Sequence, residues 1–530
     1  MSQMLKSSGA LAVATMASRV LGMVREIVYA RFMGDGWVAA AFTMAFMVPN
    51  LFRRLLGEGV LTAAFIPIFK EKEKQEGEAA MWHASNAVIC ALSLLTLALV
   101  LIGIGALSLI LSLGVFEDRP QSQLMLRLLR VMFPYVVLVC LAAVLMGMLN
   151  ARGRFFAPAL GASLLNLVMI ASVLWVAPRL GMDLPQQIFG LAIGVVVAGV
   201  VQAGFQWPML RRDGFRFQWV NPWGNPTVKR VALQMLPGIA GVAAFQINVL
   251  STQGLAFWLD SPDSPIVASF SYAVRLMEFP QGVFGISLAT YLLPTLSGLA
   301  ADKDYPKFRS TLLQGLDYLL FVNLIASILL VVLAEPIVRL LFERWRFGPD
   351  ATLRASQALA CLAPGLLAFS GVNIMARAFY ALGDTTTPMK ISVLCLTLNI
   401  LVTLALIVPL RHRGLGLANT LTSCLNLGLL FYAFRRKMPR FEWTALRGPL
   451  ARLLGAGAIA GLATWGGVTW WSAGLGHGTL WLKAGEVFAP ALTGCGVYFL
   501  LALSLKVPAA RECFGLATRR LTTPRPPATP

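Results

Sequence analysis

Eight charged residues lie where an apolar chain has little reason to carry any, and their types and spacing suggest a chemistry. Arg19, Arg25 and Glu26 fall in an apolar stretch over 8–32. Arg53, Arg54 and Glu58 fall in one over 37–69, and Arg275 and Glu278 in one over 265–298. A cation at the middle of a membrane helix costs about 2.5–3.5 kcal/mol on insertion scales, so each is a functional hypothesis by default. Arg54 and Glu58 are four residues apart, and Arg275 and Glu278 three apart, so each pair shares a helix face and can offset part of that cost. Arg19 and Arg53 have no acid at either spacing, which leaves arginine in excess. A guanidinium presents a planar fork of donors that matches phosphate and binds it at two points. The chemistry available to this set is therefore electrostatic capture of a multiply charged anion such as a diphosphate. Structural ion pairing is the competing account, and it suits Glu26, Glu58 and Glu278 best.

Little else in the chain suggests reactivity. His83, His412 and His477 lie near span ends and form no cluster, and the seven cysteines sit mostly singly within apolar spans. No metal, no cofactor and no histidine-based catalysis is expected. A membrane enzyme acting on a polyprenyl phosphate would need paired acids or an Asp-rich metal site, and neither pattern is present. Gln246, Asn248, Asn373 and Asn399 could coordinate an ion but read first as bonds between helices.

The elements that must position these residues are membrane helices. The 530 residues are 57% hydrophobic and 13% charged, against about a quarter charged in soluble domains. Apolar stretches long enough to cross a hydrocarbon core recur near 8–32, 37–69, 82–113, 124–150, 156–178, 187–210, 229–259, 265–298, 308–334, 352–381, 386–409, 413–435, 449–472 and 480–506. Backbone in lipid must bond internally, and the stretches lack the alternation of a barrel, so the fold class is all-α with about fourteen transmembrane helices. Lys6 followed by Leu11–Ala17 resembles a secretory signal, but Arg19 and Arg25 interrupt it, so a retained first helix is expected.

The net charge of +20 does not imply nucleic acid, because basic surfaces interleaved with aromatics are absent. Most of the charge sits in short loops at 152–154, 211–230, 303–309 and 435–447 and in the tail over 506–525. If the helices alternate, roughly two dozen Lys and Arg share one side and about ten the other, which makes the richer side, and both termini, cytoplasmic. Arg339, Arg344, Arg346, Arg354, Arg411 and Arg413 run against that rule.

An internal repeat is visible. Pro134, Gly153 and Pro158 recur 230 residues on as Pro364, Gly383 and Pro388, and Gly59 and Pro67 find a looser echo in Gly285 and Pro294. An even number of helices separates the copies, so they have parallel topology, as in transporters whose lobes face one another across a central cavity. The implied organisation is a six-helix lobe over 1–212, a second over 229–436, two extra helices over 449–506 and a basic, Pro-rich cytoplasmic tail over 507–530.

Several motifs resemble one family. They are Ser18-Arg19-Val20-Leu21-Gly22, Arg25-Glu26, Pro49-Asn50-Leu51-Phe52-Arg53-Arg54, Gly57-Glu58-Gly59 and Ala64-Phe65-Ile66-Pro67. Later come Tyr272-Ala273-Val274-Arg275-Leu276-Met277-Glu278-Phe279-Pro280 and Phe379-Tyr380-Ala381-Leu382-Gly383-Asp384-Thr385. Together they are similar to the MurJ (MviN) family of the multidrug/oligosaccharidyl-lipid/polysaccharide exporter superfamily, over essentially the whole chain. The resemblance implies a bacterial flippase of the cytoplasmic membrane. Its substrate would be lipid II, the undecaprenyl-diphosphate-linked disaccharide-pentapeptide of peptidoglycan synthesis. It places Arg19, Arg25, Arg53 and Arg275, with Arg54 adjacent, in a substrate cavity, and Glu58 and Glu278 at the family's acidic positions. It sets the two extra helices beside a groove for the lipid tail. Lipid II, membrane lipids and a coupling monovalent cation are the implied partners. Ala40 and Val274 stand where many members carry Asp, so no role is transferred to those two carboxylates. An exporter of another lipid-linked oligosaccharide or amphipathic compound is the alternative.

Overall fold

The computed structural model describes residues 2–57, 60–261, 265–438, 441 and 443–522. Among these the chain is helical almost throughout, with a single isolated β-bridge between Arg344 and Phe347. The helices are α1 (Ser2–Met33), α2 (Trp37–Phe52), α3 (Val60–Ser112), α4 (Pro120–Met132), α5 (Tyr135–Ala151), α6 (Phe156–Ala171), α7 (Leu184–Arg212) and α8 (Pro226–Trp258). They continue as α9 (Val267–Pro280), α10 (Ser287–Ala301), α11 (Tyr305–Val332), α12 (Ala334–Phe342), α13 (Pro349–Leu362), α14 (Gly365–Ala381), α15 (Thr386–Lys437), α16 (Arg447–Gly474), α17 (Leu480–Ser504) and α18 (Pro508–Thr522).

Each expected span has a helical counterpart. Among the described residues, eight helices are long and apolar enough to cross a membrane, or ten when the bent pairs α4/α5 and α13/α14 are each read as one span. Two of the eight contain a further break: Gly77, with φ +86°, divides the run from Trp37 to Ser112, and Arg411, with φ +51°, divides α15. Neither α1 nor α8 is among these spans.

Two compact units emerge. The first holds residues 1–268 together with 344–348, and the second holds 269–343 and 349–530. In the first, α8 packs on α3 and α2, so compactness groups this helix with the ones before it. The repeat, in contrast, groups it with those that follow. The second unit has a core of Leu292, Leu296, Phe308, Leu312, Phe379 and Phe434, where Phe434 meets Phe379 and Phe441 edge-on.

The repeat is visible in backbone detail within each unit. Pro134 and Pro364 precede the second member of each bent pair, and the bends are 43° and 45°. Pro lacks the N–H that would continue the ladder, so the break falls at the same place in both copies. The turns that follow also agree. Gly153 and Gly383 take φ +77° and +75°, and Arg154 N–H and Asp384 N–H reach back to Leu149 O and Phe379 O at 2.9 and 3.0 Å. A left-handed residue that satisfies the last helical carbonyls in this way is a standard glycine stop.

The loop at each glycine is pinned to a later helix end by an ion pair, and the two pairs have opposite polarity. Arg154 pairs with Asp213 at the end of α7, whereas Asp384 accepts from Lys437 at the end of α15, at 2.6 Å. Burial would push the Asp384 carboxyl up, but the Lys437 ammonium and the N–H and hydroxyl of Thr387 bring it down to about 2.

The six arginines that run against the loop-charge rule are all engaged. Arg339 on α12 bonds Glu486 on α17 at 2.8 Å and also pairs with Glu335 and, at 3.8 Å, with Glu343; Lys483 bonds Glu343 at 2.9 Å. Arg346 donates to Phe32 O at 3.1 Å, and the Trp345 ring beside it receives Arg31 at 4.3 Å. Its own carbonyl leaves no room for a Cβ on Gly34, where the atom would fall 2.6 Å away. Arg413 donates to Gln357, and Arg344, Arg354 and Arg411 have interactions of their own. Arg339, Arg346 and Arg413 thus have structural roles within the folded protein.

In the first unit, Asp260 follows α8 and accepts from Ile266 N–H at 2.6 Å and from the Gln121 amide at 3.1 Å. Burial pushes its carboxyl up to about 7 against those bonds, with repulsion from Asp35 in support.

The second staple gives a prediction with a sign. Asp384 has a depressed folded pKa, so its contribution to stability is present above its unfolded value near 4 and is lost as pH falls toward 2. Lys437→Met should reduce stability by about 1 kcal/mol or less, as for a partly exposed pair. It should also move the acid-unfolding midpoint of the detergent-solubilised protein to higher pH. An unchanged acid midpoint would show that the pair carries no weight.

Candidate functional site

The arginines of the first unit stand on two helices with different neighbours. α1 packs chiefly on α6, while α2 packs on α4 and α8. α1 and α2 also meet where Tyr29 packs edge-on against Phe42 at 5.8 Å, and Arg53 and Arg54 stand on the π turn that follows α2.

Their environments differ sharply. Arg25 is already committed: it pairs with Glu26, donates to Asn166 Oδ1 on α6 at 3.0 Å and lies 5.4 Å from the Tyr29 ring centroid. Asn166 completes the network by donating to Ser18 O at 3.1 Å. This assembly fastens α1 to α6 and leaves Glu26 buried. Adjacent residues do not normally face one another on a helix, and here the Arg25 guanidinium reaches Glu26 and Asn166 together. Arg19, two turns earlier on the same helix, is half-buried and has no hydrogen bond or ion pair among the described residues.

Arg53 and Arg54 open a π-helical turn over Arg53–Gly57, which follows Pro49. Arg53 donates through Nε to Asn50 Oδ1 at 2.9 Å. Glu58, the expected partner of Arg54, lies outside the described residues, so the pairing carries no structural statement. A π turn inserts one extra residue per turn and swings the side chains around the axis, a distortion frequent at functional sites. In the second unit, a π-helical stretch over Gln281–Ile286 follows Pro280 directly. The arginine-bearing helices of the two copies thus share one local deformation at corresponding positions. Arg275 on α9 pairs with Glu278 at 2.7 Å, as its spacing predicts, and both side chains stay well exposed.

Arg377 was absent from the candidates drawn from sequence. It sits on α14 between the buried residues Met375 and Ala378, is half-buried, and has no hydrogen bond or ion pair among the described residues. The signal was there to be read: a lone arginine inside the apolar run from Leu366 to Phe379. Among the described residues no group of His, Cys, Asp or Glu is placed to hold a metal.

A second feature lies beside the extra helices. An apolar cavity of about 280 Å³ is lined by Leu324, Ile328, Val331 and Val332 of α11, with Pro364 and Leu367 at the α13/α14 break. Gly457 and Gly461 of α16 pack close against Ile328. Helices α16 and α17 are fixed to this unit at two levels, by the Arg339–Glu486 and Lys483–Glu343 bonds and by Tyr498 Oη donating to Phe321 O at 2.9 Å.

A helical protein with at least eight membrane-length apolar helices among its described residues has the make-up of a polytopic membrane protein, and the known proteins it resembles define the class as transporters. The solved structures it resembles agree on the fold. A structure titled "Lipid II flippase MurJ, inward closed conformation" aligns with 93% of this chain and 97% of its own at TM-score 0.74 and 21% identity. An inward-facing multidrug MATE transporter of the MOP superfamily aligns with 82% of this chain and 98% of its own at TM-score 0.67 and 15% identity. The family described as "Lipid II flippase MurJ" matches residues 29–484. The probable lipid II flippase MurJ of Rhizobium meliloti is 33% identical, covering 93% of this chain and 92% of its own. The lipid II flippase MurJ of Burkholderia cenocepacia is 32% identical, covering 85% and 88%. The chain belongs to the MurJ family, a family of multi-pass bacterial membrane transporters with no enzymatic step.

The contrast between Arg25 and Arg19 is testable. Arg25→Ala should remove the ion-pair partner of buried Glu26 and lower folded, membrane-inserted protein, with a cost of about 3 kcal/mol for breaking a buried pair. Adding Glu26→Ala should restore abundance. Arg19→Ala should leave abundance at the parental level in the same fluorescence size-exclusion assay. An Arg19 variant as depleted as the Arg25 variant would show that both arginines are structural.

Proposed function

We propose that this chain translocates lipid II across the bacterial cytoplasmic membrane by alternating access, without covalent chemistry. The observation that carries the reading is Arg19, a half-buried intramembrane arginine with no partner among the described residues. Membership of a family whose curated relatives are named lipid II flippases supports it. A cation left unbalanced in a low-dielectric layer is costly unless an anion arrives to meet it. A diphosphate is such an anion, and the guanidinium forks of Arg19, Arg53, Arg54 and Arg275 are suited to it. Arg25 would contribute indirectly, by holding α1 on α6. The polar headgroup would cross through water while the tail stays in lipid.

The polyprenyl tail would stay in lipid beside α16 and α17. The apolar cavity between α11 and the α13/α14 break, adjoining α16, suits such a chain. A coupling monovalent cation would have to rely on neutral oxygens. Asn399 Oδ1 and Thr403 Oγ1, one turn apart on α15, are buried without hydrogen-bond partners. The loop charge supports fourteen passes with both termini cytoplasmic, α1 and α8 included despite their weaker apolarity.

Two experiments test these readings. In cells depleted of the native flippase, Arg19→Ala and Arg53→Ala should abolish or sharply reduce growth support and lipid II translocation at normal membrane abundance. Arg19→Lys should fail as well, because a point charge does not reproduce the fork. Parental flipping by Arg19→Ala would remove the anion-binding core of the proposal. For orientation, cysteines at Met182, which is 91% exposed, and at the exposed Asn221 are better probes than one at Asp35, which is buried. An impermeant thiol reagent applied to intact cells should label Met182→Cys and spare Asn221→Cys. The reverse pattern would invert the topology.

A further inference from the structure

The segment that joins α7 to α8 is a short strap set at the level where helices leave the membrane. Helix α7 ends at Arg212 and α8 begins at Pro226. Gly214, with φ +91°, turns the chain, and Phe215 N–H closes on Leu210 O at 3.0 Å. The Phe215 ring is fully buried, with its centroid 5.5 Å from that of Trp82 and 5.6 Å from that of Trp207. Trp82 opens the expected span over 82–113, and Trp207 lies in the last turn of the one over 187–210. One turn into the first of these spans, Asn86 donates to Arg216 O at 3.0 Å. Val220 and Pro222 are buried as well, so the strap is pinned along helix ends instead of hanging in solvent.

What the strap leaves uncovered is aromatic and basic. Trp219 is 65% exposed and Trp223 81%. Among the described residues neither ring stacks on another, and neither indole N–H has a hydrogen-bond partner. Trp223 sits on a turn fixed from both sides. Its backbone N–H donates to Asn221 Oδ1 at 3.0 Å, Asn225 N–H donates to Pro222 O at 3.3 Å, and Gly224 takes φ +74°. Asn225 then caps α8 by accepting from Thr227 N–H at 2.9 Å. Arg211, Arg212 and Arg216 are exposed, and their guanidinium groups make no hydrogen bond or ion pair among the described residues. Asp213, the one acid over 211–230, is already paired with Arg154. The strap therefore holds two uncovered indoles and three uncommitted cations at headgroup depth. Tryptophan favours that depth because its ring is apolar and its N–H polar.

We propose that this strap docks on anionic phospholipid headgroups of the leaflet at which α7 ends. The indoles of Trp219 and Trp223 sit at the boundary between headgroups and acyl chains, and Arg211, Arg212 and Arg216 bind the phosphates. A zwitterionic lipid offers the indoles the same seat but gives the arginines no net charge to answer, so the strap selects anionic lipid. Each basic residue near an anionic surface favours association by about fivefold, and three acting together favour it by more than about tenfold. The proposal rests on α7 crossing the bilayer and is indifferent to which substrate the transporter moves. A failed lipid II assay therefore leaves it standing, and its own failure leaves the flippase reading intact.

The test uses the full chain with a benzophenone amino acid in place of Trp223 or, as a reference, in place of Met182 beside the other end of α7. Each protein is reconstituted in vesicles of equal parts phosphatidylcholine and phosphatidylglycerol, and photo-crosslinked adducts are counted by mass spectrometry. At position 223, phosphatidylglycerol adducts should exceed phosphatidylcholine adducts by at least about tenfold, whereas at position 182 the two should be near parity. In an Arg211→Gln, Arg212→Gln, Arg216→Gln background the preference at 223 should fall to near parity, while the matching Arg→Lys triple variant keeps it. Those side chains have no hydrogen bond or ion pair to lose among the described residues, so both triple variants should elute as the parent does on size exclusion. Parity at 223 in the parental charge background would overturn the proposal. So would an equal preference at both positions, or one insensitive to the glutamine variant. Adducts confined to protein, whether this chain or a second copy, would overturn it too and assign the strap to a protein contact.

Discussion

A guanidinium inside a hydrocarbon layer has to be answered, and the architecture follows from how each one is. Where the answer is another residue, the arginine becomes a fastener. Arg25 with Glu26 and Asn166 ties α1 to α6, and outside the expected spans Arg339 with Glu335, Glu343 and Glu486 ties α12 to α17 in the same way. Arg19 and Arg377 are answered by no residue among those described, and they stand on the helices α1 and α14. Replacing a buried pair with apolar residues is often neutral, whereas leaving one charge alone is expensive. Cations kept without partners are therefore the ones with reason to meet something outside the chain.

The same constraint governs the backbone. Lipid offers no hydrogen bonds, so helices may break only where neighbours or local rearrangement satisfy the freed groups. The breaks at Pro134 and Pro364 and the glycine stops at Gly153 and Gly383 were legible in the sequence, because Pro and Gly act through their own covalent structure. The π turns after Pro49 and Pro280 were legible only as kinks, since the extra residue per turn depends on which carbonyl each N–H finds. Spans were readable because apolarity over twenty residues is a bulk property. The arginines that contradicted the loop-charge rule could not be understood from sequence. The partners of Arg339 and Arg346 include Glu486 and Phe32, 147 and 314 residues away. Arg377 was readable and was passed over, as it has no acid nearby to draw attention to it.

Helices α16 and α17 are bonded into the second unit at two levels. The Glu343–Lys483 and Arg339–Glu486 bonds hold one level, and Tyr498 stacked on Phe321 with the Asp317 cap of α18 holds the other. The cavity between α11 and α14 therefore lies within one cross-bonded unit.

The opposite polarity of the two staples bears on how a duplicated chain assembles. Two halves built on one plan offer each glycine turn two similar docking places, and a nascent chain has to choose between them. If the turn at Gly153 approached the end of α15, Arg154 would meet Lys437. If the turn at Gly383 approached the end of α7, Asp384 would meet Asp213. Each exchange sets like charges together, and only the native pairing brings opposite ones into contact. The reversal of sign between the two staples therefore disfavours an exchange of the two turns at these contacts.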